Sequence, residues 1–239
     1  MFMKKAQNCP PPRKCIAFTL AEVLITLGIV GVVAAMTIPN IVANYQKKIT
    51  VERLKVAYNI FSNAIAQAEE DYTSPVIVPD DIGNYTTKMS ALYFEPYIKG
   101  ISPYPKKVIT VKCPDKKTKA MGFSGGNYED PKCIQNGICY KIYRHGTGYI
   151  RLYIDLNGPK GPNVMGRDVF EFDMTDLGDT RCIYGGGHHC IVAPHPYVEG
   201  SWSAFDKTLD GNCNKNSDGS TCASKIIHDG WQIAPDYPW

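Results

Sequence analysis

Charge is nearly absent from one long stretch of this 239-residue sequence: between Cys15 and Gln46 the single charged side chain is Glu22. No second apolar run of that length follows, which excludes a polytopic membrane protein. A basic surplus is lacking too. The formal charge is +3, but Lys4, Lys5, Arg13 and Lys14 all lie in the first 17 residues, where there is no acid. Taking those four from the 26 basic residues leaves 22 against 23 acidic ones. The body is therefore close to neutral, without the electrostatic footprint of a nucleic-acid binder. Nine cysteines are too few for a disulfide-built mini-protein, and the 21 glycines follow no three-residue period. A hydrophobic share of 44% excludes a wholly disordered chain. No internal repeat is visible.

What is present begins with the apolar run. Phe18 to Ile38 is 21 residues, about 32 Å as a helix, which matches a hydrocarbon core of about 30 Å. The basic segment before it predicts a cytoplasmic N-terminus and an exported remainder. Beyond Pro39, Leu54, Tyr58, Phe61, Ile65, Ala68 and Tyr72 recur at steps of three and four, the stripe of an amphipathic helix that continues from the span. A conventional secretory signal cut after Ala35 does not explain that continuation. Glu22 is the residue of interest, because a carboxylate in an apolar span is costly and has either a partner or a wet boundary position. A cut before Phe18 would create an amine one helical turn upstream, on the same chain or facing the Glu22 of a neighbour.

The run Ala17-Phe18-Thr19-Leu20-Ala21-Glu22-Val23-Leu24 after a short basic leader resembles the prepilin signature of type IV pilins and type II secretion pseudopilins. The resemblance implies cleavage between Ala17 and Phe18 by a prepilin peptidase and N-methylation of Phe18. It also implies an assembly role for Glu22, four residues on, for Gly31 and for the helix-loosening Pro39. Ala17 stands where the family mostly has Gly. The implied life of the chain is a single-pass protein of the bacterial inner membrane, then a periplasmic or cell-surface filament. Its implied partners are copies of itself, other pilins or pseudopilins, and an inner-membrane assembly platform. The alternative is an uncleaved, membrane-anchored extracytoplasmic binding protein or adhesin.

The expected fold class is α+β: a long N-terminal helix on a small antiparallel sheet, with a loop-rich, disulfide-tied C-terminal region. The expected segments are a leader (1–17), a transmembrane or filament-core helix (18–39), an amphipathic helix (40–72), a connector (73–137) with a helix near Thr87–Ile98, a sheet (138–184) and a Cys/Gly-rich loop region (185–239). Strands are expected at Ile138–Arg144, Tyr149–Asp155, Asp168–Met174 and Thr180–Tyr184, the first two joined by a hairpin signal at His145-Gly146-Thr147-Gly148. In an oxidising compartment the cysteines are expected to pair locally as Cys133/Cys139, Cys182/Cys190 and Cys213/Cys222. The family resemblance instead suggests Cys182–Cys222, a bond fastening a C-terminal loop to the sheet.

Candidate chemistry is sparse, and no enzyme is expected. Gly122-Phe123-Ser124-Gly125-Gly126 fits a nucleophile-elbow pattern, yet loop-forming residues flank it on both sides. His188-His189-Cys190 with His195 has no second cluster at zinc spacing. Asp155, Asn157 and Asp168 surround a Gly/Pro loop between two strands and offer the oxygen ligands calcium takes. Asx side chains capping a turn explain the same pattern. Asp210, Asn212, Asn214, Asn216 and Asp218 form a second oxygen-rich run. No cofactor is required; calcium is the one candidate.

Overall fold

The computed structural model describes residues 19–72, 76–77, 85–105, 109–121, 130–145, 149–161, 163–176, 190–196 and 213–239. The chain divides into two compact units, Met1–Tyr45 and Gln46–Trp239. Helix α1 (Leu20–Tyr72) contributes to both.

In the first unit, α1 runs without interruption past Gly28, Gly31 and Pro39. Proline has no N–H to give the carbonyl four residues back, so Pro39 deprives Ala35 of its helical donor. Thr26 and Thr37 turn their hydroxyls back onto the carbonyls of Val23 (3.0 Å) and Val33 (3.0 Å). Their polar groups are thus satisfied within the helix, as an apolar solvent requires. Leu20, Met36 and Ile41 are 79%, 72% and 65% exposed. The helix is long and apolar enough to cross a membrane.

In the second unit, α1 presents Val51, Leu54, Ala57, Phe61, Ala64, Ile65 and Ala68 as a fully buried stripe. The stripe meets the inner face of a seven-stranded antiparallel sheet. In chain order the strands are β1 (Val76–Ile77), β2 (Ser102–Pro103), β5 (Lys132–Cys133), β6 (Cys139–His145), β7 (Tyr149–Asp155), β8 (Val169–Asp176) and β9 (Cys190–Pro196). Their spatial order is β1-β9-β8-β7-β6-β5-β2. A separate hairpin pairs β3 (Ile109–Lys112) with β4 (Thr118–Met121). Alternation sorts the faces. Tyr140, Ile142, Ile150, Leu152, Ile154, Phe170, Phe172 and Met174 point into the core. Lys141, Arg151, Glu171 and Asp173 take the intervening positions, with Arg151 and Glu171 ion-paired at 2.9 Å. Helix α2 (Tyr85–Tyr93) and helix α3 (Cys222–His228) add Met89, Ala223 and Ile226 to the same core.

The α+β arrangement is therefore the expected one, and β6, β7 and β8 fall within two residues of their expected bounds. Two segments differ. The stretch read as an irregular connector contains α2 near the expected helix, but it also supplies β1 to β5, of which β1 and β5 gain their hydrogen bonds from the longer β9 and β6 rather than from a pattern of their own. The stretch read as loops from residue 185 contains β9 and α3. Their prolines and cysteines disguise them, and packing against β8 stabilises both. The expected strand Thr180–Tyr184 lies outside the described residues.

Candidate functional site

At the membrane end of α1, Thr19 and Glu22 form a reciprocal cap. The Glu22 carboxylate accepts the Thr19 backbone N–H at 2.9 Å and its hydroxyl at 2.8 Å, while the Thr19 hydroxyl oxygen accepts the Glu22 N–H at 3.2 Å. This is a capping box, Thr-x-x-Glu, which satisfies two N–H groups that a helix start leaves without partners. Sequence reasoning gave Glu22 only an N-terminal amine as partner. Thr19 was missed, although Thr19-Leu20-Ala21-Glu22 spells the motif. Ala17 and Phe18 lie outside the described residues. The Glu22 carboxylate is thus fixed in orientation by Thr19. Gly31 sits in the helix with open space where a side chain would be, so close approach of a second helix there meets no steric barrier.

Asp155 ends β7 and is wholly buried. Its Oδ1 accepts the backbone N–H groups of Asn157 (3.1 Å) and Gly158 (2.8 Å). That is the Asx turn expected as the alternative to a metal site, and it opens a short 3-10 turn at Gly158–Lys160. Burial pushes the Asp155 carboxyl up to about 7; the two N–H donors oppose the shift, and the charge of Asp168 adds to it. Asp168 is raised as well, chiefly by burial, against the pull of Arg167 and the Val164 N–H. The Tyr104 hydroxyl is pushed up by burial and by the charge of Asp155, and it hydrogen-bonds Asn163. The structure thus brings Asp155 and Asp168 together and adds Tyr104 and Asn163. Asn157 enters through its backbone N–H. No three His, Cys, Asp or Glu side chains cluster in metal-binding geometry among the described residues. His188 and His189, Ser124, and Asp210 with Asn212 lie outside the described residues, and the side chain of His195 is likewise not described. Asn214 and Asp218 accept the backbone N–H groups of Asn216 (2.8 Å) and Ser220 (3.0 Å), as turn caps do.

Among the described residues, two disulfides tie the second unit. Cys133–Cys139 joins directly opposed residues of β5 and β6, with Cα atoms 3.9 Å apart. Cys213–Cys222 fastens the start of α3 to the segment before it, with Cα atoms 4.8 Å apart. Cys222 is therefore not bonded to Cys182, which corrects the pairing the resemblance suggested: its neighbour nine residues back occupies its sulfur. Cys182 lies outside the described residues, and of Cys190 only its backbone in β9 is described. Cys113 is buried.

Comparison with known proteins gives two family matches. Residues 12–38 match the prokaryotic N-terminal methylation motif, a signature of the type IV pilin and pseudopilin kind. Residues 40–239 match a family of unknown function, DUF6613. Neither the curated proteins nor the solved structures gave a match. With the second match spanning most of its length, the chain belongs to the DUF6613 family, carried behind a prepilin-like N-terminus.

Proposed function

We propose that this protein is a non-enzymatic structural subunit, processed by prepilin peptidase before Phe18 and assembled into a type IV pilus or a type II secretion pseudopilus. The observation that carries this reading is the methylation motif laid on an exposed apolar helix whose only charge, up to Gln46, is Glu22. In the inner membrane the helix is solvated by lipid, with its N-terminus on the cytoplasmic side. Drawn out by the assembly platform, it exchanges lipid for the equivalent helices of neighbouring subunits, since water would charge about 25 cal/mol for each Å² of apolar surface left bare. In that dry core a carboxylate needs a cation, and the N-terminal amine of Phe18 on an adjacent subunit supplies one. The Thr19 cap holds the carboxylate in place for that encounter. Neither nucleic acid nor a resident cofactor has a part in this reading.

The capping box also favours a second reading. Because Glu22 is satisfied by Thr19 within one chain, the acid does not demand a partner, and an uncleaved membrane-anchored binding protein would tolerate it. The mass of the N-terminus in the cell separates the two. A chain that begins at N-methyl-Phe18 and is recovered in filaments supports the subunit. A chain retaining residues 1–17 and found only as single molecules in the membrane supports the anchor.

A further inference from the structure

We propose that Trp239, Lys47, Lys48 and Arg167 form a headgroup-binding face of the second unit, the indole seated in the bilayer interface and the three cations on the phosphates of anionic phospholipids. This rests on the membrane-spanning helix common to both readings above, and it gives the second unit a hold of its own on the lipid surface.

The first observation is depth. The charge-free run from Val23 to Gln46 is 24 residues within the single helix α1, about 36 Å long. A hydrocarbon core of about 30 Å leaves about 3 Å at either end, so Glu22 and Lys47 fall in the two headgroup layers. Lys47 and Lys48 belong to the second unit, and chain continuity alone sets their depth. What Lys47 touches lies in the same layer. Its Nζ is 6.0 Å from the centroid of the Trp239 ring, the Arg167 guanidinium is 5.0 Å from that same centroid, and Arg167 also reaches Gln46 at 3.3 Å.

The second observation is that the cluster is built. Trp231 packs edge-on to Tyr58 at 5.5 Å, and Trp239 meets Lys47, eleven residues earlier on α1. The last residues of the chain therefore run back along the helix toward its apolar half. Tyr237 is buried and donates its hydroxyl to the carbonyl of Gly166, the neighbour of Arg167. Trp239 and Arg167 are thus fixed against each other rather than left to fray.

The third observation is charge. One indole gathers two cations, whose mutual repulsion an anion between them would relieve. Lys47, Lys48 and Arg167 make no ion pair with an acid among the described residues, although Asp168 lies in the field of Arg167. Lys48 is exposed, and Lys47, Arg167 and Trp239 are half-buried. An indole with one apolar face and one N–H favours the interface, guanidinium matches phosphate geometry, and basic residues beside a span are drawn to anionic lipid. The depth of the cluster selects the bilayer over an acidic peptide or a nucleic acid.

The test uses the full-length chain reconstituted in phosphatidylcholine vesicles that hold a minor share of brominated phosphatidylglycerol or, in parallel, of brominated phosphatidylcholine. Quenching of tryptophan emission is read. Phosphatidylglycerol should quench the wild type at least twofold more than phosphatidylcholine, and Trp239→Phe should lose most of the quenching by either lipid. Lys47→Gln combined with Arg167→Gln should bring the ratio of the two close to one. Lys48 is exposed, so Lys48→Gln, expected to lower the ratio in part, keeps the test decisive where the double variant fails to fold. Lys99→Gln should leave the ratio unchanged, because Lys99 follows Tyr97, whose hydroxyl meets Asp71 at the far end of α1. Raising the salt to 1 M should lower the ratio, since screening then acts within about 3 Å. Loss of the chain from the vesicles in an alkaline carbonate wash overturns the membrane reading and this proposal with it. In a retained chain, a wild-type ratio of one, wild-type quenching in Trp239→Phe, or an unchanged ratio in the charge variants overturns this proposal alone. So does loss of the ratio on adding inorganic phosphate at constant ionic strength, which would mark a soluble anion as the occupant.

Discussion

Replacing Phe61 by Ala tests the contact on which the second unit is built. Phe61 is wholly buried on the stripe of α1. Its ring centroid lies 5.1 Å from that of Phe94 and 5.1 Å from that of Tyr140, edge-on to both, and these two rings are themselves 5.6 Å apart. One side chain thus joins the helix, the segment after α2 and strand β6. Truncating a buried Phe costs about 3–5 kcal/mol. The upper half of that range applies here: the two edge-to-face pairs are worth roughly 0.5–1.5 kcal/mol each beyond area. Tyr140 cannot relax into the gap without straining its buried hydrogen bond with Ser90 at 2.8 Å. A domain of this size shifts by roughly 2–4 °C per kcal/mol, so the melting temperature should fall by about 10–15 °C. The assay is thermal and urea unfolding of the full chain in detergent, followed by near-ultraviolet circular dichroism, which reads packed aromatics rather than the membrane helix. Asn63→Ala, on the exposed side of the same helix, should change stability by less than about 0.5 kcal/mol. A loss below about 1 kcal/mol in Phe61→Ala would refute the packing of α1 on this sheet.

Glu22→Gln and Glu22→Ala separate charge from capping, because Gln also completes a capping box. If assembly uses the charge, both variants lose filaments while the second unit keeps its melting temperature; filaments from Glu22→Gln would leave only the cap. Gly166→Ala should destabilise by about 2–3 kcal/mol in urea unfolding, since its φ of +79° strains an L residue and the new Cβ would come within 2.8 Å of the Cys222 sulfur. A neutral result would mean that the turn relaxes freely. Removing the Cys213–Cys222 bridge by the double Ser variant should cost about 2–3 kcal/mol on loop-entropy grounds for a nine-residue separation. Unchanged stability would show that α3 holds without it.

The sequence by itself determined the apolar span, its single acid and the buried stripe through Leu54, Phe61, Ile65 and Ala68, because each is a local pattern along the chain. The strands β6 to β8 were legible for a similar reason: alternation over seven or eight residues is a local signal. Tertiary structure alone decided the rest. The two-residue strands β1 and β5 exist because the longer β9 and β6 offer them hydrogen bonds, and β2 pairs in turn with β5. Pro194 and Pro196 hide β9; they lie beyond the Cys190–Ile191 stretch that pairs with the edge strand β1, so their missing N–H groups take nothing from that pairing. The seven residues of α3 are too few to form a helix alone in water and are held by the core. Which residues would surround Asp155 was likewise undecided by spacing. Tyr104 comes within its field from 51 residues before and itself meets Asn163, 8 residues after Asp155 in the chain. Only the folding of the chain around β7 brings oxygens from such separations into one buried corner.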